Sequence, residues 1–227
     1  MDITDHLSSD SVQLQPTRRS TLKWSAGALG AAVFGALPNF GFSETMTAEL
    51  GKGDIGVLNY AYALEQLEAA FYTKVLAAEY KDMSADDRAI LTDIRDHEVA
   101  HRDFLKKALA DKVIGDLEVD FSAVDFTSRD AVLGTAKVFE DLGVAAYNGA
   151  GKLIENPDYL LAAGRIVSVE GRHAAVIRDM LQPDSVAFAG PEVVDKNGLD
   201  GALPPADVLK AAAPFIKTPI GAAGITG

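Results

Sequence analysis

Apolar positions recur at helical spacing along most of the chain. Over residues 54 to about 79, Leu58, Tyr62, Leu64, Leu67, Phe71 and Val75 return every two to four residues without a proline, which predicts a first helix. Residues 81–83 make a short connection. Ser84, with Asp87 three positions on, forms a variant capping box and opens a second helix that runs to about residue 111 through Ile90, Leu91, Ile94, Phe104, Leu105 and Leu109. Residues 113–127 alternate only weakly, through Ile114, Leu117, Val119 and Phe121, and read as a long connection. Ser128 caps a third helix reaching Ile154. Asn156 caps a fourth, with Pro157 at its first position, where the missing N–H costs nothing, and this helix ends at Gln182. Two tight hairpins joined by one long connection predict an all-α four-helix bundle over residues 54–182, with a long crossover between helices 2 and 3. Residues 183–227 are rich in Gly and Pro and are expected to add one short helix, about 205–213, lying against the bundle.

Charge and composition narrow the chemistry. A net charge of −12 gives no basic face for nucleic acid or for an anionic membrane surface. The absence of cysteine excludes disulfides, iron–sulfur clusters, thiolate zinc and a Cys nucleophile. A metal would therefore be held by carboxylates and by the few histidines, His6, His97, His101 and His173.

The N-terminal stretch reads as an address. Residues 1–17 are polar, Arg18-Arg19 follow, and residues 24–42 are mildly apolar and rich in Ala and Gly. A basic start before an apolar stretch marks a targeting segment. Arg18 and Arg19, with Leu22 and Lys23 close behind, resemble a twin-arginine export signal, here residues 1–43. That resemblance implies a protein folded and loaded with any cofactor before export to the periplasm or outside the cell. A single membrane anchor is the alternative, which Pro38 and the glycines disfavour.

The candidate chemistry lies in the bundle. The second helix contains Glu98-Val99-Ala100-His101 and the fourth Glu170-Gly171-Arg172-His173. Residues three apart share a helix face, so each pair offers a carboxylate and an imidazole to one spot. In the first and third helices, Glu65 is followed seven residues later by Tyr72 and Glu140 by Tyr147, again on one stripe. Heights also agree: Glu65 lies 15 residues before Tyr80, Glu98 15 after Met83, Glu140 15 before Glu155 and Glu170 14 after Asn156. At 1.5 Å per residue all four stand about 22 Å from their turns, so they can meet at one level. Four glutamates and two histidines around one point make a dimetal carboxylate site.

The stretches LNYAYALEQLEAAFY (58–72), RDHEVAHRDFL (95–105), VFEDLGVAAY (138–147) and VEGRHAAVIR (169–178) resemble the ferritin-like superfamily, and within it the exported ferritin-like domain proteins related to plant desiccation-related proteins. The resemblance implies Glu65, Glu98, His101, Glu140, Glu170 and His173 as ligands of two Fe or two Mn ions. It implies chemistry on O₂ or peroxide, of a ferroxidase, peroxidase or catalase-like kind, in oxidative or desiccation stress. A non-catalytic stress or metal-storage scaffold is the alternative. Expected partners are metal ions, O₂ or peroxide, the twin-arginine translocase during export and, as an option, further copies of the chain.

Competing readings share the same residues. His97 to His101 also spells HExxH, the zinc-protease helix, but that reading leaves the second Glu-x-x-His unused. His97 is instead expected one residue off the metal face, hydrogen-bonding locally. Glu68 reads as an extra ligand, an outer base or a solvated residue. Tyr72 and Tyr147 are the candidate catalytic side chains, orienting ligand carboxylates, with Tyr62 grouped beside them. The acidic run Asp82, Asp86, Asp87, Asp93 and Asp96 reads as a solvated helix start.

Overall fold

The computed structural model describes residues 46–225; the export-type segment 1–43, with Arg18, Arg19 and His6, lies outside them. Four long helices follow in order: α1 (Gly53–Ala78), α2 (Ala85–Leu109), α3 (Arg129–Ala150) and α4 (Pro157–Leu181). A short α5 (Pro205–Ala212) packs on α3. The predicted second and third helices end in 3₁₀ turns at Ala110–Lys112 and Gly151–Leu153, which tighten the last turn where α-helical acceptors run out. Ser84, Ser128 and Asn156 cap α2, α3 and α4 through their side-chain oxygens. The pattern did not predict the two-residue parallel pair of β1 (Ala48–Glu49) and β2 (Ile220–Gly221), which ties the two ends of the described chain together.

The hairpins α1–α2 and α3–α4 form the bundle, with α1 antiparallel to α3. At one end Asp54 in the first turn of α1 accepts hydrogen bonds from the backbone N–H groups of Glu155 and Asn156, just beyond α3. At the other end the N–H of Lys81, beyond α1, donates to the carbonyl of Thr127, just before α3. The crossover 113–127 must therefore travel the length of the bundle, and α1 is its track. Asn59 donates to the carbonyl of Lys112 (2.9 Å) and accepts from Ile114 N (3.0 Å), and Gln66 accepts from Leu117 N (2.8 Å). Farther along, the Lys74 ammonium lies 4.7 Å from the centre of the Phe126 ring. These three positions sit seven and eight residues apart, on one stripe.

Covered by neighbouring helices and the crossover, α1 is buried all round: every residue from Gly56 to Ala69 is inside. By contrast α2 buries only Leu91, Ile94, Glu98, Leu105 and Leu109, a single stripe with a carboxylate in its middle. The C-terminal extension docks on α3 at Gly149. A Cβ there would lie 1.8 Å from the carbonyl oxygen of Leu203, so only glycine admits this approach. Among the described residues no helix is long and apolar enough to cross a membrane.

One expectation fails here. Asp87 is not simply solvated with its acidic neighbours. It is partly buried, accepts from Tyr80 Oη (2.5 Å) and pairs with Arg129 (2.9 Å), which itself donates to the carbonyl of Met180. The first turn of α2 faces the start of α3 and the end of α4, and that packing gives its charge fixed partners.

Candidate metal centre

Each helix contributes to one buried point. Glu65 from α1, Glu98 from α2, Glu140 from α3 and Glu170 from α4 are fully buried, and His173 is buried beside them. His101 keeps 13% of its side chain exposed. Donor atoms fall into two groups, each with all its atoms within 4.8 Å of one another: Glu65, Glu98, His101 and Glu170, then Glu98, Glu140, Glu170 and His173. Metal–ligand bonds of about 2.1 Å place ligands across an ion about 4.2 Å apart, so each group fits round one centre.

Glu98 and Glu170 belong to both groups, and each sends one oxygen to each side. Glu170 Oε1 lies 3.0 Å from His101 Nδ1 and its Oε2 3.9 Å from His173 Nδ1. Glu98 Oε1 lies 2.8 Å from His173 Nδ1 and its Oε2 3.7 Å from His101 Nδ1. Glu98 and Glu170 are thus shared between the two groups, which Glu65 and His101 complete on one side and Glu140 and His173 on the other.

The fit to metal is tested by the polar atoms themselves. Glu65 Oε2, Glu140 Oε2, both oxygens of Glu98 and Glu170, and Nδ1 of both histidines are buried with no hydrogen-bond partner. They approach one another closely but without hydrogen-bond alignment, because all point at the shared centres. Buried polar atoms are rarely left so, and eight in one place fit a cation cradle. Hard carboxylates together with imidazole suit Fe or Mn rather than thiolate-seeking metals.

Electrostatics without metal follow from burial and mutual charge. Burial, then the Glu98 charge, push the Glu65 carboxyl up to about 8. Burial followed by the same charge raises Glu140, and burial with Glu98 and Glu65 raises Glu170 well above the ordinary range. Burial would raise Glu98 too, but His101 and His173 outweigh it and hold this carboxyl down at about 2. Burial works against both imidazolium ions, yet Glu170, Glu65 and Glu98 hold His101 up at about 12, and Glu140 and Glu98 hold His173 at about 10. One ionised carboxylate thus sits between two imidazolium rings, the other carboxyls leaning towards their protonated forms.

A family model for the ferritin-like domain matches residues 53–183, more than half of the chain. The chain belongs to the ferritin-like domain family. No curated protein matches it.

Around this ferritin-like centre the structure adds detail that spacing did not. Tyr72 donates to Glu140 Oε1 and Tyr147 to Glu65 Oε1 (2.5 Å), so each tyrosine serves the glutamate of the other helix rather than its own. Seven residues along one helix separate backbones by about 10 Å, whereas α1 and α3 present these side chains to each other. Tyr62 does not join them: its charged neighbours are Lys106 and Asp116. His97 does not bond locally. Its Nδ1 lies 3.0 Å from His173 Nε2, with the two rings stacked at 7°. It enters neither donor group, so HExxH does not assemble as a zinc site.

Glu68 is also buried and lies outside both groups. Its carboxylate sits with that of Glu170 over Gly143, where a Cβ would come within 3.2 Å and 3.3 Å of the two. The missing side chain at Gly143 gives both carboxylates their room. A glycine inside an otherwise strong helix, three residues after Glu140, was the available signal.

Proposed function

We propose that this ferritin-like protein carries two Fe or two Mn ions and reacts with O₂ or peroxide, as a ferroxidase, peroxidase or catalase-like enzyme of oxidative or desiccation stress. The observation that carries the reading is the pair of donor groups sharing Glu98 and Glu170. Glu65 with His101 and Glu140 with His173 complete the two sides. When bound, the pair supplies two electrons, one from each ion, enough with two protons to take O₂ to hydrogen peroxide or hydrogen peroxide to two waters. Tyr147 and Tyr72 hold the terminal carboxylates Glu65 and Glu140 by one oxygen each and leave the other turned inward. Leu64 and Ile166, buried beside Tyr147, keep bulk water from that side of the carboxylates.

A second reading has its own observation. His101 and His173 lie within 3.0 Å of Glu170 and Glu98, so each imidazole already has a carboxyl neighbour within the cluster, which suits a non-catalytic stress scaffold. Loading the protein with Fe(II) or Mn(II) and following O₂ and peroxide consumption separates the two. The enzyme reading predicts turnover that is lost in Glu98→Ala and Glu170→Ala. Tight metal binding with no turnover of either oxidant would select the scaffold.

A further inference from the structure

An apolar cavity lies directly beneath the candidate centre. It measures about 20 Å³ and is walled by side chains from all four long helices, with almost wholly carbon surface. Its inner residues stand about one turn from the donors: Ala61 four before Glu65, Leu105 four after His101, Ile166 four before Glu170. Given the antiparallel order of the helices, all these offsets point to the same end of the bundle. Leu64, next to Glu65, and Tyr147, whose hydroxyl is engaged by Glu65, complete the contact with the site. Toward the α3–α4 turn the cavity is walled by the half-buried Ile154 and Ala162.

We propose that this cavity holds dioxygen and delivers it to the metal centre, an inference that rests on the dimetal reading and names its oxidant. Size and chemistry choose the occupant. The cavity admits one or a very few small molecules, since about 10–15 Å³ of such space already holds one water-sized body. Water needs two to four polar partners to stay, and these walls offer almost none, so a small apolar molecule is favoured there. Peroxide and cations have a different approach. Between α2 and α4 a wider cavity of about 260 Å³ reaches His173; Ile90, Ile94, Val169 and Val176 line it, and the exposed Asp93, His97 and Arg172 give hydrated solutes polar partners at its rim.

Xenon, an apolar probe of similar size, tests the cavity without any metal. Crystals of the metal-free protein under xenon pressure should show an atom among Ala61, Leu105 and Ile166. Ala150→Val and Ala163→Val, each filling the cavity from a different helix, should remove the xenon. In the Fe(II)-loaded protein both variants should raise the KM for O₂ at least fivefold and leave metal content and the peroxide reaction unchanged. Xenon absent from the wild-type cavity, or an O₂ reaction indifferent to both fillings, overturns the proposal. So does an equal loss with peroxide, which would mean that filling disturbs the centre itself. Wild-type metal content is read separately. Metal bound without xenon removes the cavity and keeps the centre, whereas xenon without metal binding removes the dimetal reading and the delivery role with it.

Discussion

A proton on one imidazole nitrogen decides what the other nitrogen can do. His173 turns Nδ1 to the carboxylates and places Nε2 3.0 Å from His97 Nδ1. A proton on Nε2, donated to His97, leaves the Nδ1 lone pair free for a metal. His97→Ala is therefore expected to weaken metal binding about 10-fold or more, the usual cost of losing an outer partner, with helix content unchanged. Titration with Mn(II) checks this, and an unaltered Kd would make the contact incidental. Gly143→Ala should weaken binding as well, because a Cβ presses on Glu170 and Glu68 together; unchanged affinity would show that both carboxylates can yield. The Glu-x-x-His pairs and the heights of the glutamates were legible because they depend only on helix periodicity. The partner of His97 was not, since His173 lies 76 residues away and their meeting depends on how α2 and α4 are rotated against each other. The exchange of Tyr72 and Tyr147 between Glu140 and Glu65 was hidden for the same reason.

Among the elements, α1 carries the most. It supplies a ligand, a tyrosine for the opposite ligand and the anchors of the crossover, which explains why polar residues appear on a helix that never meets water along Gly56–Ala69. Asn59 alone serves Leu50, Lys112 and Ile114. Asn59→Ala leaves those buried backbone groups without partners and should destabilise the protein by about 1–3 kcal/mol. Urea unfolding of the metal-free protein measures this, and a change below a few tenths would mean that water replaces the side chain. Helix number, the two hairpins and the long crossover were readable from apolar spacing and the caps Ser84, Ser128 and Asn156. The path of residues 113–127 was not, because it is held by Asn59 and Gln66, whose types would suit an exposed helix face equally well. The pairing of β1 with β2 joins segments about 170 residues apart and leaves no local pattern.

For the whole molecule, the centre couples stability to pH. Without metal, the native state holds protons that the unfolded chain releases. Glu65 gives one up near 4.5 when unfolded and near 8 when native, so its contribution falls as pH rises through that range. His101 and His173 contribute fully below about 6.5 and lose it as pH rises towards about 12 and about 10. Glu98 acts oppositely, its contribution lost only as pH falls from about 4.5 towards about 2. The metal-free melting temperature should therefore peak near about pH 4.5 and decline towards about pH 8, more steeply above about 6.5 where the histidines join. Metal must displace those protons, so the extra stability it confers should grow over the same interval. Melts with chelator and with Mn(II) should show that gain; one that shrinks towards high pH would contradict the protonation scheme. The most direct test of the central claim is the metal content of the protein after loading with Fe(II) or Mn(II) and removal of free ions. The shared carboxylates predict two ions per chain, both lost in Glu98→Ala. No bound metal, or full binding retained in that variant, would contradict it.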